Sequence, residues 1–199
     1  MHTYFLLDRS GSMVSNWEEV IESINTYVRE MAGDEHLINS RITVACFDSV
    51  DPFLLVRRNK KIKKWKDISC DEITPRGMTP LYDGIGQLSL TIKKDNPDRA
   101  AIIILTDGME NSSREFDKKS AKKIIDGFKK KNFDVNFLGV NFDAFSEADN
   151  VGVTSSFTLN TTIGNYADTM IRMVSKNSMY AVTGTVRGFS DDEREEASK

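Results

Sequence analysis

The sequence predicts an α/β fold built on a doubly wound, mostly parallel β-sheet with helices on both faces. Short apolar runs typical of strands alternate along the chain with segments of helical periodicity. Residues 101–105 are apolar throughout and residues 4–7 nearly so, as in strands whose two faces are both covered. Strands of this kind form parallel sheets enclosed between layers of helices.

Six segments have the composition of strands. The second and third are separated only by residues 48–52, a turn too short for a parallel crossover, so we expect the third strand to be antiparallel to the second. The six segments are residues 3–7, 41–47, 53–56, 100–105, 134–140 and, more weakly, 156–159.

Apolar residues recur at helical spacing in four further segments, and we interpret these stripes as core-facing. Ser15 and Glu18 have the spacing of a capping box before the first stripe, and Pro80 suits the first position of the second helix. Asp143 is expected to cap a short helix extending through Ala148. The stripes are Trp17, Val20, Ile21, Ile24, Val28 and Met31; Leu81, Ile85, Leu88 and Ile92; Ile124, Ile125 and Phe128, with Phe116 near the start; and Ile163, Tyr166, Met170, Met173 and Val174.

Length and composition indicate one globular domain. The chain has 199 residues and a net charge of -3, so overall charge gives no case for a nucleic acid or acidic lipid partner. No apolar run approaches the roughly 20 residues of a membrane helix. With two cysteines and no signal-like N-terminus, we expect a cytoplasmic monomer with free thiols. We expect the domain to span residues 1–180, followed by a partly disordered acidic tail over residues 181–199.

Oxygen-bearing side chains stand directly after two of the apolar strands. Asp8, Ser10 and Ser12 follow the first strand at alternate positions, and Asp107 follows the fourth. Thr79 precedes Pro80, at the predicted start of a helix. Ligands of doubly wound sheets bind beyond the carboxyl ends of the strands, where the strand order reverses. If both strands flank that reversal, these hard oxygen donors meet in one crevice and suit a hard cation such as Mg²⁺.

This pattern resembles the von Willebrand factor A family with its metal-ion-dependent adhesion site, in its intracellular bacterial or phage form. The family pattern is Asp-x-Ser-x-Ser, then a Thr, then an Asp in a Thr-Asp-Gly-like turn. All five positions are filled here, by Asp8, Ser10, Ser12, Thr79 and Asp107. The resemblance implies the strand order 3-2-1-4-5-6 and a site that binds Mg²⁺, or Mn²⁺, and then a carboxylate of a protein partner.

Four further residues lie near these positions. Asp83 comes one helical turn after Thr79, where it could either support the ligands or cap the helix. Arg9, Met13 and Glu110 flank the ligand positions and could form the rim of the site.

Two alternative functions stay open. A Mg²⁺-dependent phosphohydrolase of the haloacid dehalogenase type also has an Asp after its first strand, but its second Asp is replaced here by Ser10, which cannot transfer protons as a carboxylate does. A nucleic-acid-associated protein could use the basic run over residues 57–66, whose alternative interpretation is a solvated edge with Trp65 turned inward. The basic residues of this run are Arg57, Arg58, Lys60, Lys61, Lys63, Lys64 and Lys66.

We therefore expect a metal-dependent protein-binding module rather than an enzyme. The two histidines, His2 and His36, have no metal-ligand or catalytic-triad context, and no phosphate-binding glycine loop is present.

Overall fold

A computed structural model describes residues 1–140, 144–154, 157–162 and 164–197. It contains a six-stranded sheet in the order β3-β2-β1-β4-β5-β6, in which only β3 is antiparallel to its neighbour. The predicted fold class, strand order and antiparallel edge strand are confirmed. The strands are β1 His2–Asp8, β2 Arg41–Phe47, β3 Leu54–Lys61, β4 Ala100–Thr106, β5 Asp134–Val140 and β6 Thr158–Thr161.

Helices flank the sheet on both faces. They are α1 Trp17–Gly33, α2 Leu81–Asp95, α3 Lys118–Lys130, α4 Ala144–Asn150, α5 Tyr166–Thr183 and α6 Asp191–Ala197. Short 3-10 helices cover Gly11–Asn16, Ile62–Lys64 and Cys70–Glu72. Among the described helices, none is both long and apolar enough to cross a membrane.

The two faces of the sheet support separate apolar cores, because successive side chains of a strand point to opposite faces. Phe5 and Leu7 of β1 pack with α1 and α5, whereas Tyr4 and Leu6 pack with α2 and α3. Each fully buried side chain of this size stabilises the fold by roughly 1.5–3 kcal/mol. The apolar runs predicted to be covered on both faces are therefore covered.

The ends of several elements differ from the sequence prediction. β3 continues through Lys61, so the basic run begins inside the edge strand. The Ser15 and Glu18 capping box does not form, because Ser15 lies within a 3-10 helix and α1 starts after Asn16. Pro80 is the N-cap of α2 rather than its first residue. β6 begins at Thr158, and the predicted positions Ser156, Asp143 and Ile163 lie outside the described residues.

The C-terminal segment lies against the domain and ends in the short helix α6. α5 crosses residue 180 and ends at Thr183, and α6 follows it. Phe189 and Ala197 are buried, and Glu196 forms an ion pair with Arg172 of α5. Two apolar anchors, too few to form a recognisable stripe, hold this acidic helix on the domain.

Candidate metal centre

Asp8 is the buried anchor of the candidate site. It ends β1 with no exposed surface, and both of its carboxylate oxygens accept hydrogen bonds. Oδ1 accepts from the backbone N–H of Ser10 at 2.7 Å, and Oδ2 accepts from the Thr106 hydroxyl at 2.6 Å. Burial raises the pKa of Asp8 to about 6, although the hydrogen bonds from Thr106 and Ser10 act in the opposite direction.

A chain of hydroxyls connects the first loop to the fourth strand. The hydroxyls of Ser10 and Ser12 are 3.0 Å apart, and that of Ser12 donates to Asp107 Oδ1 at 2.7 Å. Burial raises the pKa of Asp107, while its hydrogen bond from Ser12 lowers it. Since β1 and β4 are adjacent, the reversal of strand order brings residues 95 positions apart into direct contact.

Thr79 reaches the same place from the loop before α2. Its side chain is almost fully buried, and its hydroxyl lies 3.7 Å from the position that a Cβ on Gly108 would occupy. Its backbone is held by Asn111, whose N–H donates to the Thr79 carbonyl at 3.1 Å and whose Oδ1 accepts from the Thr79 N–H at 2.9 Å. The hydroxyl is thus placed beside the turn that carries Asp107.

Gly77 allows the loop carrying Thr79 to approach β2. Its φ of +70° is one that side-chain-bearing residues rarely adopt, and a Cβ there would lie 2.7 Å from the Ser49 hydroxyl. Its carbonyl accepts a hydrogen bond from the N–H of Gly11 at 3.1 Å. The loops after β1 and β2 and the loop before α2 are therefore joined by hydrogen bonds.

The donor set fits a hard divalent cation. It consists of two carboxylates and three hydroxyls, all oxygen, from three separate segments: Asp8, Ser10, Ser12, Thr79 and Asp107. Such donors suit Mg²⁺ or Mn²⁺ better than softer metals. Within the described part of the chain, no cluster of three or more His, Cys, Asp or Glu side chains is suited to a metal. A cation here would therefore depend on the hydroxyls as well as the two carboxylates.

Asp83 and Glu110 stabilise the loop after β4. The Asp83 carboxylate accepts hydrogen bonds from the backbone N–H groups of Arg114, Glu115 and Phe116 at 2.8–2.9 Å. Glu110 Oε2 accepts from the N–H of Tyr82 at 3.0 Å, near the start of α2. Asp83 therefore holds the loop after β4 on α2, and Glu110 joins the same loop to the start of that helix.

Arg9 and Met13 do not form the predicted rim. Met13 has no exposed surface, because the 3-10 helix after Ser10 turns its side chain into the core. Arg9 is 4% exposed, and its guanidinium forms an ion pair with Asp48, which is also buried. Arg9 therefore ties the first loop to the end of β2 instead of facing a partner.

Sequence reasoning missed three residues that support the site. Thr106 donates to Asp8, Asn111 holds the Thr79 backbone, and Asp48 receives Arg9. Asp48 follows an apolar strand directly, as Asp8 does, so its position was a usable signal. Thr106 and Asn111 carry no such signal, because their partners are 98 and 32 residues away.

In the basic run over residues 57–66, the two arginines form ion pairs with carboxylates. Arg57 forms an ion pair with Glu72 at 2.8 Å, and Arg58 forms one with Asp95 at 3.2 Å. Trp65 is partly buried against the core, as expected of an inward-turned residue.

Comparison with known proteins identifies the fold. No protein-family model and no curated protein sequence matches this chain. Among solved structures, the von Willebrand factor domain of the pilus tip protein Mfa5 from Porphyromonas gingivalis matches with a TM-score of 0.69 and 12% identity, covering 96% of this chain and 98% of that one. The manganese-loaded TRAP protein of Plasmodium vivax matches with a TM-score of 0.60 and 16% identity, covering 87% of this chain and 72% of that one.

A third match comes from a structural protein. Proximal thread matrix protein 1 of the mussel byssus matches with a TM-score of 0.65 and 16% identity, over 90% of this chain. This chain spans 46% of the length of that protein. At such identities the similarity establishes the fold, whereas ligands have to be argued from this chain's own residues.

Proposed function

We propose that this chain, whose fold is that of a von Willebrand factor A domain, is a metal-dependent protein-binding module. The observation that carries the proposal is the convergence of oxygen donors from three segments, joined by the hydrogen bond from Ser12 to Asp107. The module would bind Mg²⁺ or Mn²⁺ and then an Asp or Glu side chain of a partner protein. The manganese in a structure of the same fold is consistent with this choice of metal.

The hydroxyls and the carboxylates of the donor set would have different roles in holding the ion. The hydroxyls of Ser10, Ser12 and Thr79 would be neutral ligands, and Asp107 would add charge beside them. Asp8 has both oxygens engaged by Ser10 and Thr106, so it would orient the loop and supply charge without displacing those bonds. With so few direct anionic ligands, the bound cation would supply an electrophilic position that a partner's carboxylate can fill.

Exposed apolar side chains stand close to these donors in the sequence or in the adjoining loop, and they suit a protein partner. Val14, Val50, Met78 and Met109 are each 51–65% exposed. Three of them lie within two residues of a proposed ligand, and Val50 lies 3.5 Å from the Cβ position of Gly77 in the loop before Thr79. Apolar side chains exposed together often mark an interface, and methionines adapt to varied partners. We infer that the partner's carboxylate is flanked by apolar residues.

Calorimetric titration with Mn²⁺ and Mg²⁺ tests the metal site. We expect Asp107→Ala and Asp8→Ala to abolish binding, because each removes one of only two carboxylates in the donor set. Asp71→Ala is the matched control, since Asp71 is exposed on a 3-10 helix outside the site, and it should bind as the unaltered protein does.

The fold of each variant is checked by circular dichroism, because Asp8 is buried and its loss could disturb the β1 loop. Asp8→Asn keeps the side-chain shape and provides a second variant at this position. Unchanged affinity in folded Asp107→Ala would contradict the proposal. Capture of a partner that is insensitive to chelator would also contradict the metal-dependent step.

An enzymatic function is the alternative that this proposal excludes. In a phosphohydrolase, the position of Ser10 would need a carboxylate for proton transfer, and the Ser10 hydroxyl here lies beside that of Ser12 instead. Turnover of p-nitrophenyl phosphate that disappears in Asp8→Ala would contradict the binding-module proposal.

A reducing compartment, such as the cytoplasm, suits the chain's thiols. Cys46 and Cys70 are both free, and burial raises the pKa of the Cys46 thiol to about 12, which keeps it protonated and unreactive.

A further inference from the structure

Five of the seven residues that line a cavity at the other end of the sheet are cationic. It has a volume of about 610 Å³ and lies where the edge strand β3 meets the following 3-10 helix. No carboxylate is among its lining residues. We call it the basic cradle, and its members are Arg41, Lys60, Lys61, Lys64, Trp65 and Lys66. The chain as a whole carries a net charge of -3, so this positive surface is a local feature.

The charges of the cradle are not neutralised by neighbours. Arg57 and Arg58, from the same basic run, each pair with a carboxylate. Within the described residues, none of the four cradle lysines forms an ion pair, and the Arg41 guanidinium donates to Asn59, a neutral side chain. Keeping five like charges together raises the free energy of the folded chain, and a bound anion would relieve that repulsion.

Backbone structure fixes the shape of the cradle. Asn59 has a φ of 50°, and its N–H donates to the Thr43 hydroxyl at 3.0 Å, where the pairing of β2 and β3 shifts register. Such bulges redirect the side chains that follow them. The N–H of Ile62 then donates to the Ser40 carbonyl, and the N–H of Trp65 to the Ile62 carbonyl. The lysines therefore project from an ordered turn and not from a loose tail.

Trp65 adds an aromatic surface among the lysines. Its indole Nε1 is buried, and its side chain is packed partly against the core. Trp65 lines the cavity, although its indole nitrogen is buried. The surface it offers is therefore carbon, which suits stacking better than hydrogen bonding. Cations that follow a phosphate backbone, together with an aromatic stacking platform, are the features by which proteins hold single-stranded nucleic acid.

A neighbouring cavity shares Arg41 but is less suited to anions. It has a volume of about 550 Å³ and includes both Asp95 and Asp98 with His2, His36 and Arg99. Its mixed charge weakens the attraction for phosphate, so the basic cradle is the better anion site. The candidate metal centre and the basic cradle lie at opposite ends of the strands. β1 and β2 each run seven residues, or about 20 Å, between the two sites. This exceeds the screening length of about 10 Å, so the two sites act independently.

We propose that the basic cradle binds single-stranded nucleic acid, with the phosphates on Arg41 and the lysines and a base stacked on Trp65. This inference does not rest on the proposed metal-dependent function. Binding is expected to be independent of sequence, because the cradle offers charge and a stacking surface but few groups that read base edges.

Fluorescence anisotropy with labelled oligothymidylate of about 16 nucleotides tests the proposal. The cradle variant changes Lys60, Lys61, Lys64 and Lys66 to Gln, which should be tolerated because all four side chains are exposed. We expect its affinity to fall at least about tenfold at low salt. The magnitude of the slope of log K against log salt should decrease from about 3.5 to about 0.7, since each of the five cations contributes roughly 0.7 and the variant leaves one.

The matched control removes the same charge elsewhere. Lys94, Lys119, Lys123 and Lys130 are exposed on α2 and α3, and changing all four to Gln should alter affinity by no more than about twofold. Trp65→Phe should remove the quenching of tryptophan fluorescence by the oligonucleotide while keeping the chain folded. Asp8→Ala or added chelator should leave the affinity unchanged, which separates this surface from the metal centre.

Three results would overturn the proposal. The first is no anisotropy change with the oligonucleotide at low salt. The second is an equal loss of affinity in the control variant, which would indicate a general charge effect. The third is binding of poly-glutamate as tight as that of the oligonucleotide, which would assign the cradle to acidic polypeptides.

Discussion

At the scale of single residues, burial decides what each polar side chain does. Asp8 and Asp83 are both buried carboxylates near the candidate metal centre, yet their surroundings differ. Asp8 accepts from one hydroxyl and one backbone N–H, whereas Asp83 accepts from three backbone N–H groups of one loop. The backbone of the loop after β4 therefore occupies the Asp83 carboxylate, whereas Asp8 is bonded to the loop that carries Ser10 and to Thr106.

His2 is a second buried polar residue, and each of its ring nitrogens lies within hydrogen-bond distance of a hydroxyl. Its Nε2 lies 2.8 Å from the Thr43 hydroxyl and its Nδ1 lies 3.0 Å from the Tyr4 hydroxyl. The Tyr4 hydroxyl donates its proton to Asp95 at 3.2 Å, so Nδ1 is the nitrogen that carries hydrogen. Burial lowers the pKa of His2 to about 4, with Asp95 raising it and Arg41 lowering it further.

Stability should therefore fall in mild acid because of His2. In the unfolded chain this histidine takes up a proton below pH 6.5, whereas in the fold it does so only near pH 4. Its contribution is fully present above pH 6.5 and is lost between there and pH 4, by an amount on the order of 3 kcal/mol. Urea denaturation across this range should show a shallower pH dependence for His2→Gln than for the unaltered protein.

His36→Gln is the control, because the His36 side chain is 47% exposed. It should reproduce the pH dependence of the unaltered protein. Identical pH dependence in His2→Gln would show that His2 is not held neutral by the fold.

At the scale of elements, the long connection between β4 and α3 is fixed by α2. The Asp83 carboxylate holds the backbone of residues 114–116, which places the Phe116 ring against Gly86. A Cβ on Gly86 would lie 2.4 Å from two ring carbons, well inside contact distance. The helical stripe of α2 thus includes a glycine for a packing reason, and Phe116 packs on α2 instead of belonging to α3.

Gly86→Ala should destabilise the protein, although alanine normally favours helices over glycine by up to about 1 kcal/mol. Overpacking against a ring that the loop holds in place costs about 1–3 kcal/mol. Adding Phe116→Ala should remove the clash, so the Gly86→Ala substitution becomes stabilising in that background. Urea denaturation of the two single variants and the double variant measures this coupling.

Gly127→Ala in α3 is the matched control. Among the described residues, no atom beyond the helix's own backbone lies within 4 Å of its Cβ position, so the substitution should stabilise the chain by up to about 1 kcal/mol. A Gly86→Ala variant as stable as Gly127→Ala would contradict the packing described for Phe116.

At the scale of the whole molecule, a buried ion pair joins the sheet, α5 and the C-terminal segment. Lys176 of α5 is 1% exposed, and its ammonium group donates to both oxygens of Asp134 and to Asn136 Oδ1 at 2.6–2.7 Å. The ring centroids of Phe157 and Phe189 lie 5.2 and 5.0 Å from the same nitrogen. Burial lowers the pKa of Lys176, and the Asp134 carboxylate opposes that effect.

Lys176→Met should cost about 3–5 kcal/mol of stability at neutral pH, because it leaves the Asp134 carboxylate buried without its partner. Asp134→Asn added to Lys176→Met should recover part of that loss by removing the isolated charge. Denaturant unfolding of both variants measures this difference. A loss below about 1 kcal/mol in Lys176→Met would contradict a stabilising role of this pair between α5 and β5.

The sequence determined the architecture of this protein because the relevant signals are local. The continuous apolar runs in β1 and β4 indicated strands covered by helices on both faces of the sheet. The short turn after β2 indicated that β3 is an antiparallel edge strand. Placing Asp8 and Asp107 at strand ends predicted one crevice on the condition that their strands flank the reversal of strand order, and that order came from the family resemblance. That the pair, with Ser10, Ser12 and Thr79, binds a metal stays a prediction.

Tertiary structure alone decided which charged and polar side chains remain available to bind a ligand and which are paired inside the fold. Arg9, Arg57 and Arg58 are neutralised by carboxylates, while the lysines of the basic cradle are left without ion pairs in the described chain. The Met13 side chain is buried in the core, and the Thr106 hydroxyl donates a hydrogen bond to Asp8. The physical reason is that periodicity fixes which face a residue occupies, whereas pairing and desolvation depend on contacts between residues far apart in the chain.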